Sequence, residues 1–223
     1  VNLCDDIGDL DLFDEILGTP NTGGTWEGPS SLANDDIGTF NASNDIEGVY
    51  SYIVLGSGGC DNDTAFITVN INMAISAGDG TSLDFCSDNP SEDLFNQLSG
   101  NPESNGTWNG PSALINGNMG TFNPASNLSG DYLYIVLGSG ACPNDTATVQ
   151  VNVDTAPFAG VDGTIGLCEN ANSIDLFTLL GTNVETGGSW SPFLSSGDGI
   201  FDPLSESPGL YTYTVDGIGV CLS

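Results

Sequence analysis

Apolar and aromatic residues recur along this chain in a fixed order. Cys4, Phe13, Trp26, Phe40, Tyr50, Tyr52 and Cys60 return as Cys86, Phe95, Trp108, Phe122, Tyr132, Tyr134 and Cys142. They return again as Cys168, Phe177, Trp190, Phe201, Tyr211, Tyr213 and Cys221. The opening cysteines are 82 residues apart both times (86 − 4 and 168 − 86). A period of this length marks an array of small modules. The interval from Trp to Phe is 14, 14 and 11 residues, and the other intervals are constant. That places the variable interval in a surface loop, because loops tolerate deletion and packed strands do not.

Within each copy the pattern predicts short elements. Asp11-Leu12-Phe13, Asp93-Leu94-Phe95 and Asp175-Leu176-Phe177 precede an apolar residue and a glycine. Asp suits a helix N-cap and Gly the position after a helix, so one or two helical turns are expected. Phe13 and Leu17, with their counterparts, would share the buried side. A glycine-rich turn then leads into a strand at Trp26, Trp108 and Trp190, and a further short strand begins near each Gly-x-Phe. Tyr50, Tyr52 and Val54 alternate with other residues, as do Tyr132, Tyr134, Val136 and Tyr211, Tyr213, Val215, so each set lines the core face of a strand. Ile67, Val69, Ile71 and Ala147, Val149, Val151, Val153 predict a half-buried final strand in the first two copies.

Short strands, Gly/Pro/Asn turns and about 80 residues per copy predict an all-β chain. We expect tandem immunoglobulin-like β-sandwich repeats arranged as an extended rod. The repeats are placed at 1–75, 76–156 and 157–223, the last without its final strand, and the array is expected to continue on both sides. The linkers, residues 76–80 and 156–160, are short and should permit modest hinging.

Charge narrows the function. The chain carries 30 acidic residues and no Lys, Arg or His, for a net charge of −30. Side-chain salt bridges, histidine ligands, Ser-His-Asp triads and Schiff-base lysines are thereby excluded. Nucleic acid is not an expected partner, since phosphate binding relies on Lys and Arg, and an anionic membrane surface would repel the chain. No run of 18 apolar residues is present, so no membrane insertion is expected. At 39% hydrophobic residues the chain is not poor in core formers, which argues against disorder. Self-repulsion should keep the protein soluble at some cost in stability.

Six cysteines fall two per copy, never as Cys-x-x-Cys. Zinc sites favour close spacing and histidine, so disulfides are expected instead. Six cysteines allow 15 pairings. The repeat favours one bond inside each copy, Cys4–Cys60, Cys86–Cys142 and Cys168–Cys221. Closing a loop of that size should contribute roughly 4 kcal/mol. Disulfides place the protein outside the cytoplasm.

The run Gly-Thr-Trp…Gly-Thr-Phe-Asn-Pro…Gly-x-Tyr-x-Tyr-x-Val…Cys…Asp-Thr-Ala-x-Val-x-Val resembles repeats in giant secreted proteins of the Bacteroidetes. Those include the mobile surface adhesins of gliding flavobacteria exported by type IX secretion. The second copy, from Gly106 to Val153, fits best, and the resemblance covers nearly the whole chain. It implies a non-enzymatic stalk, filament or adhesin on a bacterial surface, with other repeats of the same longer chain as partners. Asp63-Thr64-Ala65, Asp145-Thr146-Ala147 and Asp154-Thr155-Ala156 are similar to the sequence at which Bacteroidetes attach O-glycans. Thr64, Thr146 and Thr155 are therefore candidate glycosylation sites, each needing an exposed hydroxyl. The alternative for these triplets is a simple strand start. The Asn-x-Ser/Thr sequons at Asn41, Asn62, Asn105, Asn127 and Asn144 are what chance gives in a chain this rich in those residues.

No catalytic residue is expected. With so many carboxylates, close pairs arise by necessity and do not signal a glycosidase. Trp26, Trp108 and Trp190, with Tyr52, Tyr134 and Tyr213, are expected in the core. No cofactor is expected. Calcium is the one ion to weigh, because Asp79 and Asp162 lie in the linkers where a cation would lock neighbouring modules. The lack of an Asp-x-Asp-x-Asp-Gly loop favours a solvated acidic face. Two other uses of the chain stay open. One is a module that binds glycans or a partner protein through its inter-strand loops. The other is a filament subunit that exchanges strands at the open edge of the third copy.

Overall fold

A computed structural model of the protein describes residues 1–222. Copy one contributes six strands: β1 (Asn2–Cys4), β2 (Asp9–Asp11), β3 (Thr25–Glu27), β4 (Thr39–Asn41), β5 (Gly48–Val54) and β6 (Asp63–Asn72). Copy two repeats them as β7 (Thr81–Cys86), β8 (Glu92–Asp93), β9 (Thr107–Asn109), β10 (Thr121–Phe122), β11 (Gly130–Val136) and β12 (Asp145–Asp154). Copy three contributes β13 (Ile174–Asp175), β14 (Ser189–Ser191), β15 (Ile200–Phe201) and β16 (Thr212–Thr214). The described chain is all-β apart from short 3-10 turns, as the alternation predicts.

The strand order in copy one is β1-β6-β5-β3, with β2 and β4 forming a separate two-stranded layer. β1 runs parallel to β6 and β5 antiparallel to it. Leu3, Tyr50, Ile67 and Val69 project from the four-stranded sheet onto Phe40, Ala42 and Leu12 and bury the core between the layers. Phe40 meets Tyr50 edge-on at 5.6 Å, the quadrupole-favoured geometry. β7-β12-β11-β9 repeats the order in copy two. Val149 and Val151 are fully buried there while Thr148, Gln150 and Asn152 face solvent.

An immunoglobulin hallmark recurs in every copy. The hydroxyl of Tyr50 donates to the carbonyl of Ile46 at 2.7 Å, Tyr132 to Leu128 at 2.7 Å and Tyr211 to Ser207 at 2.8 Å. A tyrosine hydroxyl bonded to backbone a few residues upstream is the tyrosine corner of immunoglobulin-like sandwiches. Together with the two-layer topology it makes each repeat immunoglobulin-like.

Two local expectations need correction. The Asp-Leu-Phe segments form single 3-10 turns, Leu12–Glu15, Leu94–Gln97 and Leu176–Leu179. Their tighter winding buries Leu12, Leu94 and Leu176 and leaves each Phe half-buried; of the leucines that follow, Leu98 is buried as expected, whereas Leu17 is 96% exposed. Asp175 caps its own turn, accepting from the Phe177 amide at 2.9 Å, whereas the Asp11 side chain makes no capping bond to its turn. Asp11 and Asp93 instead accept from the hydroxyls of Thr39 and Thr121 on the neighbouring strand.

The linkers, too, are less free than their length suggests. The amide and carbonyl of Asp79 pair with Ser99, and Ala77 is buried with its amide on Asp145 Oδ2 at 2.8 Å. The Val161 amide donates to Leu180 and the Glu185 amide to Phe158.

Contacts group the chain into two compact units. One comprises Val1–Gly80, Phe95–Asn109 and Leu133–Thr148; the other comprises Thr81–Leu94, Gly110–Tyr132 and Val149–Ser223. The boundary runs through copy two.

Candidate functional site

Parallel pairing of β1 with β6 places Cys4 opposite Asn72, at the far end of the ten-residue β6. Cys142, which closes copy two, reaches the same place and bonds Cys4, with the two Cα atoms 4.8 Å apart. It arrives on a tight turn in which its amide donates to the Ser139 carbonyl at 3.1 Å. Asn72 receives that turn. Its Oδ1 accepts from the Ala141 amide at 3.0 Å, and its carbonyl oxygen lies 3.4 Å from Cys142 Sγ. Gly140 is required here twice over. Its φ is +61°, and a Cβ would sit 2.2 Å from Asn72 Oδ1. Asp5 closes the corner by accepting from the Ala74 amide at 2.7 Å.

The second unit contains the same joint one period on. β7 pairs with β12 so that Cys86 lies opposite Asp154. Cys86 bonds Cys221, which closes copy three, with a Cα separation of 4.9 Å. Asp154 takes the part of Asn72, accepting from the Val220 amide at 3.1 Å. Gly219 takes the part of Gly140, with a φ of +61°. Ser87 takes the part of Asp5, accepting from the Ala156 amide at 2.9 Å.

These bonds overturn the expected pairing of Cys4–Cys60, Cys86–Cys142 and Cys168–Cys221. Each disulfide instead joins an opening cysteine to the closing cysteine of the next copy, across 138 and 135 residues. The cause is strand geometry. Cys60 precedes the start of β6, while Cys4 pairs with the end of it. Ten residues at about 3.3 Å each separate the two by about 30 Å, far outside disulfide reach of about 7 Å between Cα atoms. Cys60 and Cys168 are free and exposed. Their turns are nonetheless formed: the Cys60 amide donates to the Ser57 carbonyl at 3.3 Å, and the Ala171 amide donates to the Cys168 carbonyl at 2.9 Å.

The aromatic residues predicted for the core form a second repeated device. Tyr52 packs against Trp26 at 5.1 Å and edge-on against Phe13 at 5.3 Å. Tyr134 and Tyr213 pack in the same way against Trp108 and Phe95, and against Trp190 and Phe177. Each tyrosine hydroxyl also ties down the glycine turn before its Trp. Tyr52 accepts from the Gly24 amide at 2.8 Å and donates to the Asn21 carbonyl at 3.0 Å. Tyr134 and Tyr213 treat Gly106 and Gly188 alike. Burial pushes the Tyr134 phenol above its ordinary value, opposed by the Gly106 amide and reinforced by the Glu103 carboxylate. The three Trp rings are half-buried rather than fully enclosed. Trp26 Nε1 donates to the Asp36 carbonyl at 3.1 Å. Sequence reasoning found the rings but missed these latches; the signal is a glycine 28 residues before Tyr52 and Tyr134 and 25 before Tyr213.

Thr64, Thr146 and Thr155 are all exposed. The amides of Thr64 and Thr146 each donate to the carboxylate of the Asp before them, at 3.0 and 2.9 Å. Cys4, Asp5 and Asp6 converge closely enough to suggest metal ligation. The Cys4 sulfur is consumed in a disulfide and offers no thiolate, so this set does not make a metal centre. On copy three, the Ser195 hydroxyl and amide both donate to Glu206 and hold its carboxyl below the usual range. No helix among the described residues is long and apolar enough to cross a membrane.

No protein-family model matches the chain, and no curated protein matches it. Solved structures with some likeness include the N-terminal eight immunoglobulin domains of Down Syndrome Cell Adhesion Molecule, at 12% identity and a TM-score of 0.27. That match covers 63% of this chain, which spans 24% of the length of that one. A three-immunoglobulin-domain structure of titin matches at 12% identity and a TM-score of 0.25, over 78% of this chain and 69% of that one. The immunoglobulin-like assignment rests on the strand order, layers and tyrosine corners of the chain itself.

Proposed function

We propose that the chain is a non-enzymatic segment of an extracellular repeat array, a stalk or filament on a bacterial cell surface, whose successive repeats are covalently laced together. The observation that carries this reading is the pair of disulfides from the first two opening cysteines, Cys4 and Cys86, to the closing cysteine of the next copy. A bond inside a module stabilises that module; a bond between modules transmits load from one to the next. Disulfides belong to oxidising compartments outside the cytoplasm. The absence of Lys and Arg leaves no trypsin-type cleavage site, which suits exposure to extracellular proteases. The resemblance to gliding-adhesin repeats of the Bacteroidetes makes type IX export the route we favour. Thr64, Thr146 and Thr155 are then the hydroxyls we assign to O-glycosylation. The partners are further repeats of the same longer chain, with surface glycans or proteins as the target of adhesion.

Single-molecule stretching between residues 1 and 223 tests the reading. With both disulfides intact the covalent path runs from Cys4 to Cys142, back to Cys86, and out through Cys221. The longest segment on that path is 56 residues (142 − 86). At about 3.5 Å per residue the oxidised chain stops near 200 Å, and the reduced chain of 223 residues runs to about 780 Å. Equal lengths before and after reduction would overturn the proposal.

A further inference from the structure

Along the chain the bonded cysteines come in the order Cys4, Cys86, Cys142, Cys221, and the first is joined to the third and the second to the fourth. The two bonds therefore interleave, and the loops they close share residues 86–142. Pairing inside each copy would have set the loops side by side. Residues 61–85 and 143–167 would then have been spanned by backbone alone.

Interleaving changes what a break in the backbone does. The bonded cysteines divide the chain into three stretches, 4–86, 86–142 and 142–221. After a cut in the first, Cys4–Cys142 still joins the two pieces. After a cut in the third, Cys86–Cys221 joins them. After a cut in the middle stretch both bonds do. One cut in each of two stretches gives three pieces, and the two bonds hold all three together. Two cuts in one stretch release only what lies between them. Separation of the two ends takes a cut in every stretch.

The places open to cleavage are also not the places that hold the pieces together. Exposed loops and turns are where proteases nick a folded chain. Met73 follows β6 and is 77% exposed, and its counterpart Thr155, one period on, follows β12 and is exposed too. Ser104 lies in the exposed turn before β9. The bonded cysteines are buried, with Cys4 at 0%, Cys86 at 3%, Cys221 at 6% and Cys142 at 7% exposure. A thiol must reach a sulfur to open a disulfide. All 30 acidic residues lie between Cys4 and Cys221, so no single cut at Asp or Glu falls outside the protected span.

We propose that the interleaved bonds make this chain a cut-tolerant tether, whose ends stay covalently joined after any two backbone cleavages by endoproteases between Cys4 and Cys221. The inference goes beyond the proposed function and is independent of where the protein resides, because it rests on the order of the bonded cysteines and on which segments are exposed.

The lack of Lys and Arg makes the test clean, since each lysine introduced is the one tryptic site in its stretch. Met73→Lys, Ser104→Lys and Thr155→Lys place one site in each stretch. The free thiols of Cys60 and Cys168 are alkylated first to prevent exchange. Each single variant, once cut, should keep the mass of the whole chain plus one water until it is reduced. The double variant at 73 and 155 should also stay whole, as three fragments in one unit. The triple variant should fall into two units of non-adjacent fragments, 1–73 with 105–155 and 74–104 with 156–223. The unaltered chain gives a measurement free of any substitution: single-hit digestion with an aspartate-specific protease should leave one full-length band without reductant and several fragments with it. Unreduced release of an end fragment by a single cut, or triple-variant fragments paired with their neighbours, would refute the proposal.

Discussion

The hydroxyl of Tyr134 accepts a hydrogen bond from the amide of Gly106 at 2.9 Å and donates one to the carbonyl of Glu103 at 2.7 Å. One side chain thus holds both sides of the turn that leads into β9. A Cβ on Gly106 would stand 2.5 Å from Tyr134 Cζ, so the turn approaches the ring as closely as only glycine allows.

Replacing Tyr134 by Phe keeps the ring and deletes the latch. The Gly106 amide is left buried without its acceptor, which costs about 1–3 kcal/mol. Urea denaturation should show that loss at neutral pH. The phenol's raised ionisation also sets a pH dependence. Stability that depends on the neutral phenol is fully present below the ordinary tyrosine value near 10 and is lost as pH climbs through the raised one. Absorbance titration should find the Tyr134 phenol ionising above the ordinary tyrosine value, and the Phe variant should lose less stability over that alkaline range.

The two classes of cysteine should differ sharply. Opening the Cys4–Cys142 bond by Cys142→Ser frees a loop of 138 residues, worth roughly 5 kcal/mol in the chain-entropy treatment. Cys60→Ser removes an exposed free thiol and should change stability by no more than about 0.5 kcal/mol. Denaturation of both variants gives the comparison. Pairing inside each copy would make Cys60→Ser as damaging as Cys4→Ser. Peptide mapping under non-reducing conditions should recover Cys4 with Cys142 and Cys86 with Cys221.

Gly38 and Gly58 provide a matched pair. Both adopt a φ of +67°, but a Cβ on Gly38 would fall 2.2 Å from Trp26 Nε1, whereas one on Gly58 meets open space. Gly58→Ala should cost only the left-handed backbone penalty, about 1–2 kcal/mol. Gly38→Ala adds the displacement of a packed indole, about 1–3 kcal/mol more. Melting temperatures measure the difference, and a shift in tryptophan emission should accompany Gly38→Ala alone.

The strands were legible because alternation reports burial directly. Val149 and Val151 sit inside and Thr148 and Gln150 outside, as a period of two demands. The joint was hidden for an equally physical reason. A repeat with one opening and one closing cysteine looks the same whether the bond runs within a copy or to the next. Only the parallel register of β1 with β6 distinguishes them, and parallel partners close in space are far apart in sequence. The turn around Asn72 was missed because its acceptor belongs to one copy and its donors to another. Leu17 was misplaced because a 3-10 turn and an α-helix present different faces from the same residues.

The joint also bears on how such a chain can grow or shrink. Each bond spans one 82-residue period plus a remainder of 56 or 53 residues (138 − 82 and 135 − 82), so inserting or deleting one whole unit leaves each of these sulfurs with a mate one copy on. Loss of half a unit would strand one. Gene duplication and recombination between repeats can therefore change the length of the cable without unpicking its stitching, provided the exchange keeps to the period.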